Sequence, residues 1–374
     1  MVDLSALRRH PDVEGTGLLA VDAADRLILD EADPFLRDAP AGAVSVIDDA
    51  YGALAIGATA AGATDLRVHQ DLITGERALA ANAERLNVTE CRSLPFDSTT
   101  VTDSRVVLMR LPRSLDRLAE IAALVAAHAD PDVVVVAGGR IKHMSVAMND
   151  VLGGLFGRVD VSLARQKSRV LFAREPRPSI GAEQLAGWPR MQRHDDLDLT
   201  IAAHGGVFAG TRVDIGTRFL LSVLDGALPD TTSAVDLACG TGVVASRLAL
   251  SRPGLSVLAV DRSAAAAASA RATAAANDVA DRVHVERADA LESVADASRE
   301  LVLLNPPFHS DATLSTGIAH HLFRDTARVL APGGELWCVW NSHLRYRGAL
   351  TAIVGPTREI ARNRKFTVTA SRRT

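Results

Sequence analysis

The sequence contains few cysteines, few aromatic residues and no long hydrophobic run. Its three cysteines, Cys91, Cys239 and Cys338, are far apart and odd in number, so neither a disulfide framework nor a zinc site built on paired cysteines is predicted. The eleven histidines show no zinc-ligand spacing either, and we expect no metal. This cysteine usage is typical of a reducing environment, so we predict a cytoplasmic protein.

Membrane insertion and secretion are not indicated. No apolar run reaches bilayer length, and the first residues carry Asp3, Arg8 and Arg9 without the apolar core of a signal peptide. The net charge of −4 lacks the positive excess common in nucleic-acid-binding proteins. It does not exclude such a function, because local basic patches matter more than the total charge.

The length of 374 residues favours two domains, each large enough for its own hydrophobic core. Short apolar strands alternate with helical stretches, which predicts parallel α/β sheets. In the first half the predicted strands are 43–47, 66–68, 105–109, 132–136 and 168–173. The interval 174–193 holds prolines and glycines with little periodicity, and we interpret it as the inter-domain connection. The predicted domains are 1–178 and 179–374.

The two halves look like a repeat. Each has a first strand that carries or ends in an acid, a later strand that ends in a proline turn, and a closing strand with clean alternation. The residues that indicate a functional site are not repeated in the first half. Where the second half has 240–242 (GTG) and 305–308 (NPPF), the first has 49–52 (DAYG) and 110–113 (RLPR). We therefore expect the first half to keep the fold and to lack the site.

The stretch around Asn305 is the strongest indication of a functional site. The four apolar residues 301–304 are typical of a buried parallel strand. Pro306 and Pro307 cannot donate to a sheet ladder, so the chain must leave the sheet at Asn305. This places the amide of Asn305 at the carboxyl end of a strand, where open α/β sheets bind ligands.

The chemistry of this turn suits an amino group. The amide oxygen of Asn305 and the carbonyl oxygen of Pro306 are both acceptors, so together they can hold the two hydrogens of a planar –NH2 group. Phe308 offers a face on which a nucleobase can stack. Asn-Pro is also common turn chemistry, and these residues alone leave a plain turn and a binding site equally open.

Three further strand ends predict a cofactor site. Asp236 opens a turn with Gly240 and Gly242, which lets a ligand approach the backbone closely. Asp261 ends the next strand, and the pair 289–290 (Asp-Ala) follows the third. The acid at Asp236 repels a phosphate and attracts the ammonium and sulfonium charges of S-adenosylmethionine. This argues against a nicotinamide dinucleotide and for S-adenosylmethionine.

With these motifs, the second half resembles the class I S-adenosylmethionine-dependent methyltransferases that carry Asn-Pro-Pro-Phe and methylate amino groups. More narrowly, the chain is similar to the ribosomal RNA guanine-N2 methyltransferases with a "methyltransferase small" domain, whose catalytic domain follows a degenerate copy of itself. The matching stretches are 207–208, 214–219 and 305–309, and the large-subunit branch is favoured by 20–25, 111–115, 341–346 and 363–366. The sequence departs from the family at Ala209, Gly210 and Thr241.

The resemblance implies an α/β fold of two tandem Rossmann-like class I methyltransferase domains, the first degenerate, with S-adenosylmethionine as the cofactor. The implied catalytic residues are Asn305, Pro306, Pro307 and Phe308. The implied cofactor-binding residues are Phe208, Gly216, Asp236, Ala238, Gly240, Gly242, Asp261, Arg262, Asp289, Ala290 and Asn305. In this set Asp236 and the glycines line the methionine end, Asp261 holds the ribose, and 289–290 face the adenine. Phe208 and Gly216 close over the cofactor.

The implied activity is methylation of the exocyclic N2 amine of a guanine in ribosomal RNA, with 23S favoured over 16S. The substrate is naked RNA or a ribosomal subunit. Methylation of DNA adenine or of a protein glutamine stays open, because the same loop chemistry serves those amines. A non-catalytic RNA-binding assembly factor stays open as well. We expect a monomer whose first domain positions RNA through the basic residues Arg110, Arg113, Arg140, Lys142, Arg165, Lys167 and Arg169.

Overall fold

Each half of the chain folds around one mixed β-sheet. The computed structural model describes residues 3–15, 17–89, 91–307 and 312–374, without the side chains of 312–316. Contacts divide the chain into two units, Met1–Trp188 and Pro189–Thr374. The sequence prediction placed this division after residue 178, and a helix of the first unit lies between the two positions.

The sheet of the first unit has the strand order β3-β2-β1-β4-β5-β7-β6 in the described residues. Its strands are β1 Val44–Ile47, β2 Leu66–His69, β3 Cys91–Ser93, β4 Val106–Arg110, β5 Val134–Arg140, β6 Phe156–Val161 and β7 Ser168–Pro176. β7 runs antiparallel to β5 and β6, and the other neighbours pair in parallel. The connecting helices are α1 Ala23–Leu36, α2 Ala53–Ala60, α3 Ile73–Arg85, α4 Ser98–Val101, α5 Leu115–His128, α6 Val146–Leu155 and α7 Pro178–Ala186.

The second unit begins with a hairpin of β8 Arg190–His194 and β9 Leu199–Ala203. Its main sheet consists of β10 Ser233–Leu237, β11 Ser256–Asp261, β12 Val283–Arg287, β13 Arg299–Leu304, β14 Leu330–Asn341, β15 Thr357–Arg362 and β16 Phe366–Arg372. The helices are α8 Ile215–Leu221, α9 Val243–Ser251, α10 Ala264–Ala276, α11 Ala312–Val329 and α12 Arg347–Ile353. The strand order is β12-β11-β10-β13-β14-β16-β15, with β16 antiparallel to β14 and β15.

The two units are therefore copies of one topology, as the repeat in the sequence indicated. The turn after the first strand even keeps the same left-handed backbone. In the first unit φ is 57° at Asp48 and 61° at Ala50, and in the second it is 57° at Ala238 and 55° at Gly240. This match fixes which residues of the two units correspond.

Both faces of the central strand β13 are buried, as predicted for 301–304. Leu301 and Leu303 pack into one hydrophobic cluster, and Val302 and Leu304 pack into another on the opposite face. All four side chains are 0% exposed, and burial of each contributes about 1.5–3 kcal/mol. The same alternation occurs along β4 in the first unit.

The interpretation of 174–193 as an irregular connection is wrong in part. The interval contains the end of β7, the helix α7 and the start of β8. Helix α7 packs closely on α5, because a Cβ at Gly181 would lie 2.8 Å from the backbone nitrogen of Ala127 and 2.9 Å from the carbonyl oxygen of Ala123. Glycine at position 181 permits this contact. Pro178, one of the prolines that suggested a break, is the first residue of the helix, a position that proline favours.

Candidate active site

Asn305 lies directly after the central strand of the second sheet. β13 pairs in parallel with β10 and β14, and Leu304 is in register with both neighbours. Asn305 therefore leaves the sheet at its carboxyl edge, as predicted. Pro306 is buried and Pro307 is exposed. Phe308, predicted to stack on a base, lies outside the described residues.

The side-chain amide of Asn305 is held in one orientation. Its Nδ2 donates to Oγ1 of Thr217 at 3.0 Å and to Oδ2 of Asp214 at 3.2 Å. Its Oδ1 is buried and has no hydrogen-bond partner among the described residues. Leaving a buried acceptor unsatisfied costs about 1–3 kcal/mol, so such groups are rare in folded proteins. Where one occurs, a functional role is a common explanation. The oxygen thus keeps its capacity to accept an N–H group.

Asp214 connects this amide to the start of α8. Its Oδ2 also accepts the backbone N–H of Gly216 at 2.8 Å and of Thr217 at 3.1 Å, the arrangement of an N-cap. A Cβ at Gly216 would lie 2.9 Å from the same oxygen and 3.1 Å from Cε1 of Phe366, so a larger residue requires a shift. The sequence analysis did not identify Asp214 and Thr217 as site residues. The available signals were the family resemblance of 214–219 and an N-cap residue type before an amphipathic stretch.

The turn between β10 and α9 has one packed side and one open side. Ala238, Gly240 and Gly242 have φ angles of 57°, 55° and 71°. A Cβ at Gly242 would lie 2.9 Å from Cβ of Ala270, so glycine is needed there for packing against α10. A Cβ at Gly240 would meet no atom of the described chain within 4 Å. The backbone at Gly240 thus borders space that a ligand can occupy.

Two acids accept backbone N–H groups at this turn and at the starts of the neighbouring helices. Asp236 is 3% exposed, and its Oδ2 accepts the N–H of Ala245 in α9 at 3.0 Å. Burial raises the pKa of Asp236 to about 7, and the nearby charge of Asp261 adds to this rise. Asp261 accepts the N–H of Gly240 at 3.0 Å with Oδ2 and the N–H of Ser263 at 2.9 Å with Oδ1. Their contacts with the methionine end and the ribose stay predictions.

The third strand end places a histidine beside Asp289. Nε2 of His321, on α11, lies 3.5 Å from Oδ1 of Asp289, and interaction with this carboxylate raises the pKa of His321. Ala290 is 4% exposed and has a φ of 52°. The sequence analysis did not single out His321 for this position. The predicted contact of Asp289 and Ala290 with the adenine stays a prediction.

The remaining predicted cofactor residues lie in loops and at a helix start. Phe208 belongs to the loop between β9 and α8 and is 49% exposed. Arg262 lies between the end of β11 and the start of α10 and is half-buried. Gly216 is the second residue of α8. Their roles in closing over and binding the cofactor stay predictions.

These features fit S-adenosylmethionine. The open side of the turn at Gly240 provides space, and the acids Asp236 and Asp261 suit a ligand with positive charge and ribose hydroxyls. Asn305 lies at the end of the strand next to β10. A methyl donor in the turn and an amino group at Asn305 would therefore share one edge of the sheet. Asp236, Gly240 and Asp261 would hold the cofactor, which supplies the methyl group.

The first unit carries Arg110 at the position of Asn305. Met109 lies opposite Ile47 in the first sheet as Leu304 lies opposite the last residue of β10 in the second. The residue that follows is Arg110 in one unit and Asn305 in the other. The same alignment places Gln70 where the second unit has Asp261. Asn305 and Asp261 of the predicted site are thus replaced in the first unit, and so are Ala238 and Gly240, whose counterparts are Asp48 and Ala50.

Arg110 contacts the same two helix positions that hold Asn305 in the second unit. Its Nη1 donates to Oδ1 of Asp25 at 2.7 Å and its Nη2 to Oδ2 of Asp22 at 3.0 Å. Asp22 is the N-cap of α1 and Asp25 follows three residues later. Asp214 and Thr217 occupy the equivalent positions on α8. A salt bridge thus takes the place of the amide and its two partners.

Family models match both halves of the chain. The model described as "Methyltransferase small domain" matches residues 198–370, and the "RLMG N-terminal domain" matches residues 3–177. The "Ribosomal RNA large subunit methyltransferase G" of Streptomyces coelicolor is 35% identical over 97% of this chain and 96% of that protein. The protein of the same name from Pseudomonas aeruginosa is 34% identical, with the same two coverages of 97% and 96%. The chain belongs to the ribosomal RNA large subunit methyltransferase G family.

The two-domain fold is shared with a solved structure. The T. thermophilus 16S rRNA N2 G1207 methyltransferase (RsmC), in complex with AdoMet and guanosine, matches 97% of this chain and 97% of its own with a TM-score of 0.72 and 19% identity. At that identity the likeness concerns the fold. The predicted fold of two tandem Rossmann-like methyltransferase domains is confirmed, and so is the predicted family with its large-subunit branch.

Neither a metal-binding cluster nor a membrane-spanning helix is found in the described residues. In them, no group of three or more histidine, cysteine, aspartate or glutamate side chains is placed to hold a metal ion. The same residues include no helix whose length and apolar character would let it cross a membrane.

Proposed function

We propose that this protein is an S-adenosylmethionine-dependent methyltransferase that acts on the exocyclic N2 amine of a guanine in 23S ribosomal RNA. Its place in the large subunit methyltransferase G family supports the reaction class and the choice of RNA. The observation that carries the proposal is the amide of Asn305. Asp214 and Thr217 fix its nitrogen, and its buried oxygen has no partner in the described residues.

Asn305 acts by orientation. Its Oδ1 accepts one hydrogen of the guanine amine, and the carbonyl oxygen of Pro306 accepts the other. Held in this way, the amine nitrogen directs its lone pair at the methyl carbon instead of into the ring. Bound S-adenosylmethionine supplies that methyl group as an electrophile. Orientation of two reactants can contribute about 7–11 kcal/mol to lowering a barrier.

Asp214 and Thr217 decide which end of the amide faces the substrate. An asparagine side chain can present either a donor or an acceptor. The carboxylate of Asp214 can only accept, so it selects the Nδ2 end of Asn305. The acceptor end is then left for the substrate, which suits an amine and not a carbonyl group. The reaction also requires the guanine to leave its stack in the RNA and enter the pocket.

The two units take different roles in this proposal. The second domain, 179–374, carries the reaction. The first, 1–178, has Arg110 and Gln70 in place of Asn305 and Asp261 and acts as a degenerate domain that positions the RNA. The protein works as a monomer in the cytoplasm, where its substrate is made.

The test is transfer of labelled methyl groups from S-adenosylmethionine to separated ribosomal RNAs taken from cells that lack this protein, followed by nucleoside analysis. N2-methylguanosine in the large-subunit RNA is the expected product. Label in small-subunit RNA alone would contradict the choice of RNA. No label in either RNA, with cofactor binding intact, would contradict the proposal. DNA adenine and protein glutamine would then be the substrates to test, with a non-catalytic assembly factor as the remaining alternative.

A further inference from the structure

A cavity of about 370 Å³ lies at the carboxyl ends of β4 and β5 in the first unit. The site at Asn305 belongs to the second unit. Basic side chains and the ends of the two strands dominate its wall. The lining residues are Asp22, Arg110, Leu111, Arg113, Gly138, Gly139, Arg140, Lys142, His143 and Met144.

The cavity occupies the edge that corresponds to the predicted substrate side of the second unit. Arg110 corresponds to Asn305, as shown above. Gly138 lies opposite Arg110, and Arg140 follows two residues later at the end of β5. By the same register, the residue of the second unit that corresponds to Arg140 is Asn341, the last residue of β14. Two amides at the strand ends of the catalytic unit are thus two guanidinium groups in the first unit.

The charge of one of these guanidinium groups is compensated and that of the other is not. Arg110 is paired with Asp22 and Asp25. In the described part of the chain, Arg140 and Lys142 form no ion pair, and Nε of Arg140 is a buried donor without an acceptor. Nη2 of Arg113 lies 3.2 Å from Nε2 of His143. The lining of the cavity therefore carries a surplus of positive charge, and one of its arginines has an N–H group without a partner in the described residues.

We propose that this cavity binds a phosphate group of the RNA backbone through Arg140, Lys142 and Arg113. Guanidinium groups bind phosphate oxygens by two parallel hydrogen bonds, and an ammonium group adds a compact charge. Phosphate contacts fix the position of a nucleic acid without reading its sequence. The inference rests on the proposed function, because RNA must be the substrate. Free inorganic phosphate has the same chemistry, and the test separates the two sources.

The basic residues predicted from sequence do not contribute equally to this site. Arg165 lies 3.0 Å from Asp30 and 4.0 Å from Glu31, so its charge is largely compensated. Arg110 lines the cavity, but its charge is compensated by Asp22 and Asp25. The site therefore depends on Arg140 and Lys142, and the test is directed at them.

The test uses the full-length protein with Arg140→Gln and Lys142→Gln combined. The matched control is Arg105→Gln. Arg105 directly precedes the first residue of β4, at the end of the strand away from the cavity, and it pairs with Asp130 at 3.4 Å. Affinity for deproteinised large-subunit RNA is measured over a range of salt concentrations, and affinity for inorganic phosphate is measured on the same proteins. Thermal unfolding and S-adenosylmethionine binding are measured in parallel to show that the double variant is folded.

We expect the double variant to bind RNA about five- to tenfold more weakly at low salt, with the slope of log affinity against log salt reduced by about 1. The control keeps the slope of the unmodified protein, and Arg140→Lys with Lys142→Arg restores it. An unchanged slope in the double variant overturns the inference. So does loss of inorganic phosphate binding with unchanged RNA binding, since the cavity then serves a free anion. RNA binding is read without methyl transfer, so failure here is distinguishable from failure of the proposed reaction.

Discussion

Asn305 donates a hydrogen bond to Asp214, 91 positions earlier in the chain, at 3.2 Å. The same carboxylate oxygen caps α8, so the start of that helix fixes the amide on which the proposed reaction depends. Thr217, one turn along, supplies the second acceptor. The first unit keeps this connection between helix start and strand end but makes it with Arg110 and two acids.

Thr217→Val tests the role of the second acceptor. The hydroxyl of Thr217 holds Nδ2 of Asn305 at 3.0 Å, and valine has nearly the same shape without it. We expect kcat for methyl transfer to fall about five- to tenfold, the value of one hydrogen bond, with little change in KM for RNA. The reason is that the amide loses orientation without losing contact area.

Thr217→Ser is the matched control for this prediction, because it keeps the hydroxyl. It should retain most of kcat. A valine variant with unchanged kcat, or a serine variant that loses as much as the valine variant, would show that the hydroxyl does not orient Asn305. Thermal unfolding of all three proteins should agree within about 1 kcal/mol.

The pH dependence of cofactor binding tests Asp236. Burial raises the pKa of its carboxyl to about 7. If it attracts the cationic end of S-adenosylmethionine, the ionised form binds more tightly, so binding below this pKa must first remove a proton. Affinity should therefore rise as pH increases from 6 to 8, by up to about tenfold per unit below the pKa, and binding should release a proton.

Asp236→Asn is the variant for this measurement, because an amide oxygen can still accept the N–H of Ala245. Its affinity for S-adenosylmethionine should be lower at pH 8 and nearly independent of pH. Equilibrium binding at several pH values provides the test. A variant whose affinity rises with pH as steeply as that of the unmodified protein would exclude Asp236 as the cause.

Arg110→Gln tests the salt bridge that replaces the amide in the first unit. Asp25 is 0% exposed, and burial raises its pKa to about 6 even with Arg110 beside it. A raised carboxyl pKa means that the folded state holds its proton more tightly, so stability falls as pH rises from the unfolded value towards 6. Loss of Arg110 raises the pKa further and extends this fall to higher pH.

We therefore expect Arg110→Gln to lower the free energy of unfolding by about 3 kcal/mol at pH 8 and by less at pH 5.5. Arg105→Gln, which breaks an exposed pair, should change it by less than about 1 kcal/mol at either pH. Denaturant unfolding at the two pH values measures this. If the free energy of unfolding falls equally at pH 8 and pH 5.5, Asp25 does not stay buried and ionised in the variant.

The buried strands, and the turns at which they end, could be predicted from the sequence. The stretch 301–304, its proline stop and the glycine turn after β10 were found because their signals are local. The strands that escaped prediction lie towards the sheet edges. Cys91–Ser93 is short and partly exposed, and half of the residues in Phe156–Val161 are exposed. Arg190–His194 is exposed along most of its length, and Thr357–Arg362 mixes charged with apolar residues. Edge strands of this kind lack the apolar run that marks a buried strand.

The partners of Asn305 could not be found in the same way. Asp214 lies in the stretch 214–219 that resembles the family and has the residue type of an N-cap, but neither signal indicates a contact 91 positions away. The same holds for Arg110, which was predicted among the basic residues that position RNA, and whose pairing with Asp22 and Asp25 the sequence did not indicate. Local patterns place a charged residue on an element, but its partner depends on how the elements pack.

The orientation of the amine by Asn305 is the central claim, and single-turnover methyl transfer to large-subunit RNA tests it most directly. Unmodified protein and Asn305→Ala are compared at saturating S-adenosylmethionine, with N2-methylguanosine as the measured product. The account predicts a rate constant reduced by at least about a hundredfold in the variant, with RNA affinity unchanged. An Asn305→Ala protein that forms N2-methylguanosine at close to the unmodified rate would contradict it.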